Sequence, residues 1–266
     1  MNTRRPITAL ALAAVLLLAA TSPAQAGRDC ESAPPTAQAV QRGLELAERT
    51  ARALDASGAE VVVLARAGQD LSRWRLRWSH LGLAYRDPYA NGAWRVVHKL
   101  NHCGSDQAAV YRQGLGEFFL DDPHEYVAGY AVLTTDLQTK LLALLQDNRR
   151  ITQLNTPAYN MVAYPWATQY QQSNQWAIET LAMGAEPAIG SRDRAQAWLQ
   201  FKDYRPGVLR IDTFTRLGAR MTSANVAFDD HPNSKRFAGR IETVTADSVF
   251  EWLAAAGLAT GLQVQR

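Results

Sequence analysis

The chain lacks most of the signatures that announce a reaction. Its 266 residues contain no glycine-rich phosphate loop, no H-E-x-x-H and no G-x-S-x-G. Nucleotide-dependent and zincin chemistry therefore lose their usual sequence support. The chain also lacks a large excess of charge of either sign. The formal net charge is +3 and falls to +1 once Arg4 and Arg5 are removed with an N-terminal leader. A nucleic-acid partner would want a basic face, so none is expected. Beyond the N-terminus no apolar run is long enough to span a bilayer. Cysteine is scarce, with two residues, Cys30 and Cys103.

The N-terminus points to a compartment. Arg4 and Arg5 precede an apolar stretch from Ala9 to Ala20, and Ala24-Gln25-Ala26 has the A-x-A form of a cleavage site. Residues 1–26 read as a signal peptide, and residues 27–266 as one exported domain without a membrane span. No lipobox-like leucine precedes Cys30, which favours a soluble exported protein, periplasmic or secreted, over a lipoprotein. In an oxidising compartment two cysteines read first as a disulfide, Cys30–Cys103. Closing so long a loop contributes about 4 kcal/mol on the chain-entropy model. The rival reading is a catalytic thiol at Cys103, which follows His102.

The chain is organised around Arg77 to Asn101. Two alternating apolar runs, one with His80 at its centre and one with His98, flank the turn Tyr89-Ala90-Asn91-Gly92, as in a β-hairpin. Ahead of it, Val40, Leu44, Ala47, Ala51 and Leu54 recur at helical spacing, with Thr36 as N-cap and Gly58 as stop. The run Glu60 to Ala65 is a strand. Ser105 and Asp106 predict a helix over 107–113, ended by Gly114 and Gly116. A strand is expected over Glu125 to Leu133, then a helix with Leu137, Leu141, Leu144 and Leu145 buried and Arg149 and Arg150 at its end. Helices are also expected from Asn174 to Gly184, from Ser191 and from Asp247 to Gly257. Short strands are expected at Val208–Ile211 and Arg240–Thr245. The order shows no regular strand–helix alternation, so the fold class is α+β, a mainly antiparallel sheet with flanking helices.

Three residues are candidates for chemistry. His80 has an imidazole suited to general-base work near neutral pH, or is a half-buried strand histidine bonded to backbone. His98 shares a strand face with Trp94, Val96 and Leu100; it orients His80 as the third member of a triad would, or fills space. Ser173 precedes an amphipathic helix, as a nucleophile at the positive end of the macrodipole or as an ordinary N-cap. Two acidic-histidine clusters, Asp121-Asp122-His124 and Asp229-Asp230-His231, contain ligand types for hard cations. Both lie in proline-containing turns, and no metal or cofactor is expected.

The motifs Ser79-His80-Leu81-Gly82-Leu83-Ala84-Tyr85-Arg86, Trp94-Arg95-Val96-Val97-His98-Lys99-Leu100-Asn101, Gly114-Leu115-Gly116-Glu117-Phe118-Phe119 and Tyr170-Gln171-Gln172-Ser173-Asn174-Gln175-Trp176 resemble an exported bacterial family catalogued as domain of unknown function 2145. More distantly, His80-Leu81-Gly82 followed by a helix starting at Ser173 is similar to the permuted papain-like NlpC/P60 group. That group places a cysteine where Ser173 stands. The resemblance implies a papain-like core and an amide or ester hydrolase, with Ser173 attacking, His80 as base and His98 holding the imidazole. Loss of the thiol means the serine needs strong activation. The alternative is a binding module without chemistry, lined by Tyr164, Trp166, Tyr170 and Trp176, for an envelope peptide, glycan or protein.

Overall fold

The computed structural model describes residues 34–120 and 123–266, the side chains of 220–222 excepted. Helix α1 (Ala37–Ala56) starts where the Thr36 hydroxyl accepts the Ala39 N–H at 3.1 Å. It buries Gly43, Leu46, Ala47, Thr50 and Leu54, one stripe at three- and four-residue steps. It stops before Gly58, whose φ of +68° suits a residue without Cβ. Strand β1 (Val61–Ala67) is buried along its whole length. The expected hairpin follows as β2 (His80–Asp87) and β3 (Ala93–Asn101), paired from Leu83↔Val97 to Asp87↔Ala93. Asn91 and Gly92 turn it with φ of 53° and 74°.

Next come β4 (Ala108–Gly114), α2 (Leu115–Phe119), β5 (Glu125–Val132), α3 (Thr135–Gln146) and α4 (Asn148–Thr152). The second half runs α5 (Ser173–Ala185), α6 (Arg192–Phe201), β6 (Gly207–Arg210), α7 (Thr213–Thr222), α8 (Asn233–Phe237), β7 (Arg240–Thr243), α9 (Ala246–Ala255) and β8 (Gln263–Gln265). The main sheet has the order β4-β3-β2-β1-β5-β8 and every pair in it is antiparallel. Strands β6 and β7 form a separate antiparallel ribbon. The fold is α+β, with helices on both faces of an antiparallel sheet.

Strand alternation assigns the two faces. Val62, Leu64, Ala84, Val96 and Ala128 pack with Leu46 and Leu54 of α1 and with Phe118 and Phe119 of α2. Their neighbours Val61, Val63, Leu81, Leu83, Tyr85 and Val97 pack with Leu141 of α3 and with Trp176, Ile178 and Leu181 of α5. Each buried valine, leucine, isoleucine or phenylalanine among them contributes roughly 1.5–3 kcal/mol. Helix α5 is central, and every residue from Ser173 to Gly184 is buried.

Three sequence expectations are corrected. Residues 107–113 are not a helix: Ala108–Gly114 is strand β4, paired with β3 from Arg95↔Gly114 to Asn101↔Ala108. The open edge of β3 supplies partners for the backbone groups that face it, and that outweighs the local caps at Ser105 and Asp106. Glycine 114 does not stop a helix but precedes one, α2, whose Glu117 carboxylate accepts the Gly114 N–H at 3.0 Å. Arg149 and Arg150 belong to the short α4, because the Asp147 carboxylate accepts the Arg149 N–H at 2.8 Å and restarts the helix. The expected signal peptide, Cys30 and the pair Asp121-Asp122 lie outside the described residues. Cys103 sits in the turn after β3, and among the described residues no cysteine is a free thiol.

Candidate functional site

The hairpin brings His80 and His98 together. Leu83 faces Val97 in the register, which sets His80 and His98 diagonally across the two strands on one face. The His80 Nε2 and the His98 Nδ1 lie 2.8 Å apart, with ring centroids 5.1 Å apart. The His98 Nε2 lies 2.8 Å from the Gln113 Oε1 on β4. An amide oxygen only accepts, so the His98 Nε2 carries the proton and its Nδ1 accepts from the His80 Nε2–H. The result is a His80→His98→Gln113 relay. Gly82 lies between the two rings on this face, and a Cβ there would overlap the Val96 side chain and sit 3.4 Å from both His98 and Phe118. The missing side chain is what lets Phe118 close over the pair.

Phe118 and Arg66 complete the surroundings. The Phe118 ring lies 5.9 Å from His80 and 5.3 Å from His98. The Arg66 guanidinium stacks 4.9 Å from the same ring and donates to the Phe118 carbonyl. Both histidines are buried. Burial, then the Arg66 charge, then His98, hold the His80 imidazole well below its ordinary pKa. His80 is thus uncharged at neutral pH.

Ser173 lies on the other side of the sheet. It is the first residue of α5, after Gln172 as N-cap, so the helix does not use it as the cap. Its hydroxyl bonds the buried Tyr159 phenol, whose pKa burial raises and that bond lowers. The two stretches of chain do meet: the Leu81 N–H donates to the Asn174 Oδ1 at 2.9 Å. They meet through Leu81, however, whose side chain joins the α5 cluster, while His80 one residue earlier points under α2. The structure brings His80 to His98 and leaves Ser173 across the strand from both.

A second polar constellation, which the sequence reading did not single out, occupies the α5 face. The Glu179 carboxylate is wholly buried and pairs with the Arg192 guanidinium at 2.8 Å. It also accepts from the Gln171 Nε2 at 2.6 Å and the Gln196 Nε2 at 2.8 Å. The Gln171 Oε1 in turn accepts from the Lys99 Nζ at 2.8 Å. Arg192 further donates to the Thr168 and Ala167 carbonyls, holding the segment before α5. Burial foremost, then Arg192, bring the Lys99 pKa down to about 7, against an opposing pull from Glu179. The available signal was the alternation on β3, which puts Lys99 beside Val97 on the buried side.

The remaining candidates have local roles. The His231 Nε2 donates to the Glu242 carbonyl at 2.9 Å and its Nδ1 meets the Asp230 carboxylate at 2.9 Å, so the protein uses both ring nitrogens. The Asp229 carboxylate accepts from the Tyr170 hydroxyl at 3.3 Å. Tyr164, Trp166 and Tyr170 are half-buried, whereas Trp176 is in the core and donates to the Ile151 carbonyl at 3.2 Å, so it lines no groove.

No helix among the described residues is long and apolar enough to cross a membrane. No match was found to a curated protein or to a solved structure. A family profile, described as an uncharacterized protein conserved in bacteria (DUF2145), matches residues 53–253, which include the hairpin, α5 and the Glu179–Arg192 pair. The chain belongs to that family.

Proposed function

We propose that the chain is an exported cell-envelope protein, periplasmic or secreted, that works as a binding module for an envelope peptide, glycan or protein. Residues 1–26 are its cleaved leader, residues 27–266 its one domain, and Cys30–Cys103 its disulfide. Arg4 and Arg5, the apolar stretch and Ala24-Gln25-Ala26 support export. The observation that favours binding over chemistry is the sheet between Ser173 and the His80–His98 pair. Tyr164, Trp166 and Tyr170, half-buried along one segment beside Gln169, supply flat apolar faces with polar tips for such a ligand.

The competing proposal is a papain-like amide or ester hydrolase with Ser173 as nucleophile, His80 as base and His98 orienting it. It draws on the order of the motifs and on the His80–His98 bond. It requires the His80 ring to pass from the α2 side of β2 to the α5 side, and Ser173 to leave Tyr159. A fluorophosphonate probe decides between the two. The binding module leaves Ser173 unlabelled, and solubilised peptidoglycan fragments change its tryptophan emission through Trp166. Labelling that disappears in Ser173→Ala overturns this reading in favour of the hydrolase.

A further inference from the structure

Over its described side chains, helix α7 is built inside out. Arg216 is turned inward and buried, where its Nη1 donates to the Ile211 carbonyl at 2.7 Å and its Nη2 to the Thr213 hydroxyl at 3.2 Å. Phe214 and Leu217, one helical step apart, are turned outward and are 86% and 58% exposed. Phe237 on α8 is 71% exposed. An amphipathic helix on a protein surface normally does the reverse. Side chains this exposed stand out from the surface and do not line a groove.

The ends of α7 and α8 are tied together. The Ile211 N–H donates to the Gly239 carbonyl at 3.0 Å, two residues before α7 and two after α8. The same junction carries charge. Arg210 and Arg240 are directly opposed across the β6–β7 ribbon, and both are exposed. Like charges opposed across two strands are unfavourable by themselves. Arg210 precedes Phe214 by four residues, and Arg240 follows Phe237 by three. Protruding aromatic and aliphatic side chains with arginines at their base match an anionic bilayer surface: the apolar groups enter the acyl boundary and the guanidiniums meet the phosphates.

We propose that Phe214, Leu217 and Phe237, with Arg210 and Arg240, form a peripheral docking site for an anionic phospholipid surface. Charge complementarity selects this occupant over a second copy of the chain. The two arginines outnumber the exposed Asp212 carboxylate between Arg210 and Phe214, so a two-fold contact through the patch would set net positive charge against its own image, where a phosphate layer would neutralise it. Docking holds the aromatic segment near the membrane, because the Asp230 carboxylate, in the loop before α8, accepts the Tyr164 N–H at 2.7 Å. The site does not depend on the ligand proposed for that segment.

The test is co-sedimentation of the full mature chain with vesicles of phosphatidylglycerol and phosphatidylcholine in equal parts, and with phosphatidylcholine alone. Binding to the anionic vesicles is expected, weakening as salt is raised. The double variant Phe214→Ser with Leu217→Ser should lose about tenfold or more in partitioning, from the apolar burial given up. Arg210→Ser with Arg240→Ser should lose about fivefold per arginine and flatten the salt dependence. All four side chains are exposed, so thermal midpoints should not fall below that of the unaltered chain; Phe237→Ser is a second apolar variant should the first be destabilised. Absence of binding to anionic vesicles at low salt, equal binding by the variants, or a concentration-dependent dimer that the apolar variant abolishes, each overturns the proposal.

Discussion

The two faces of one hairpin solve the problem of buried polarity in opposite ways. His98 and Lys99 are adjacent residues of β3, and the strand sends them to opposite sides of the sheet. Under α2, His98 joins a hydrogen-bonded chain that ends on the Gln113 amide, with the Arg66 guanidinium stacked on Phe118 beside it. Against α5, Lys99 joins a network whose centre is a buried ion pair, Glu179–Arg192. The histidine relay is built from hydrogen bonds without an ion pair and has less to lose. The ionic face is costly to desolvate and is held only because each charge has several partners. Large mutational effects should therefore fall on the α5 face, and acid sensitivity on the α2 face.

Glu179→Ala carries the largest expected effect. It leaves the Arg192 guanidinium buried without its carboxylate and strands the Gln171 and Gln196 amides. A loss of about 3–5 kcal/mol is expected in urea unfolding. A loss below about 1 kcal/mol would mean the network is not the anchor of this face.

Lys99→Met sharpens the contrast through pH. The Lys99 pKa falls from 10.5 to about 7 on folding, so between those values the unfolded chain binds more protons. Stability contributed by this site therefore rises with pH across that window, by up to about 1.4 kcal/mol per unit. The native protein should gain stability relative to Lys99→Met as pH is raised from 7 towards 10. Parallel profiles would show that Lys99 stays charged in the fold.

His80→Gln has the smallest expected effect and tests the relay. Its imidazole is held below the ordinary value of 6.5, so protonation favours the unfolded chain. Stability from this site is present above about pH 6.5 and is lost as pH falls below it, towards the folded pKa. Glutamine keeps a donor for the His98 Nδ1 but does not titrate. The native protein should lose stability on acidification faster than the variant, read as a steeper fall of its urea midpoint below pH 6.5. Equal acid sensitivity would place the relay in contact with water.

Much of the fold was readable because local patterns carry it. The α1 stripe, the turn at Asn91-Gly92 and the leucines of α3 are signals that contacts along the chain enforce. The reading failed where a distant partner decided. Residues 108–114 hold helix-compatible residues, yet the unpaired edge of β3 takes them as a strand. On helix α7 Phe214 and Leu217 stand at helical spacing, but spacing does not say that they would point outward. The site was half legible: His80 and His98 are close in sequence and on neighbouring strands. Ser173 is remote from them, and its face could not be read from spacing.

Alternation along β2 and β3 was written in the residues, and with it the pairing of His80 with His98 and the separation of His98 from Lys99. Which side each set would face was decided only when α2 and α5 packed on opposite sides of the sheet. A strand sends successive side chains to opposite faces whatever its sequence, but only the helix laid against a face gives that face its neighbours.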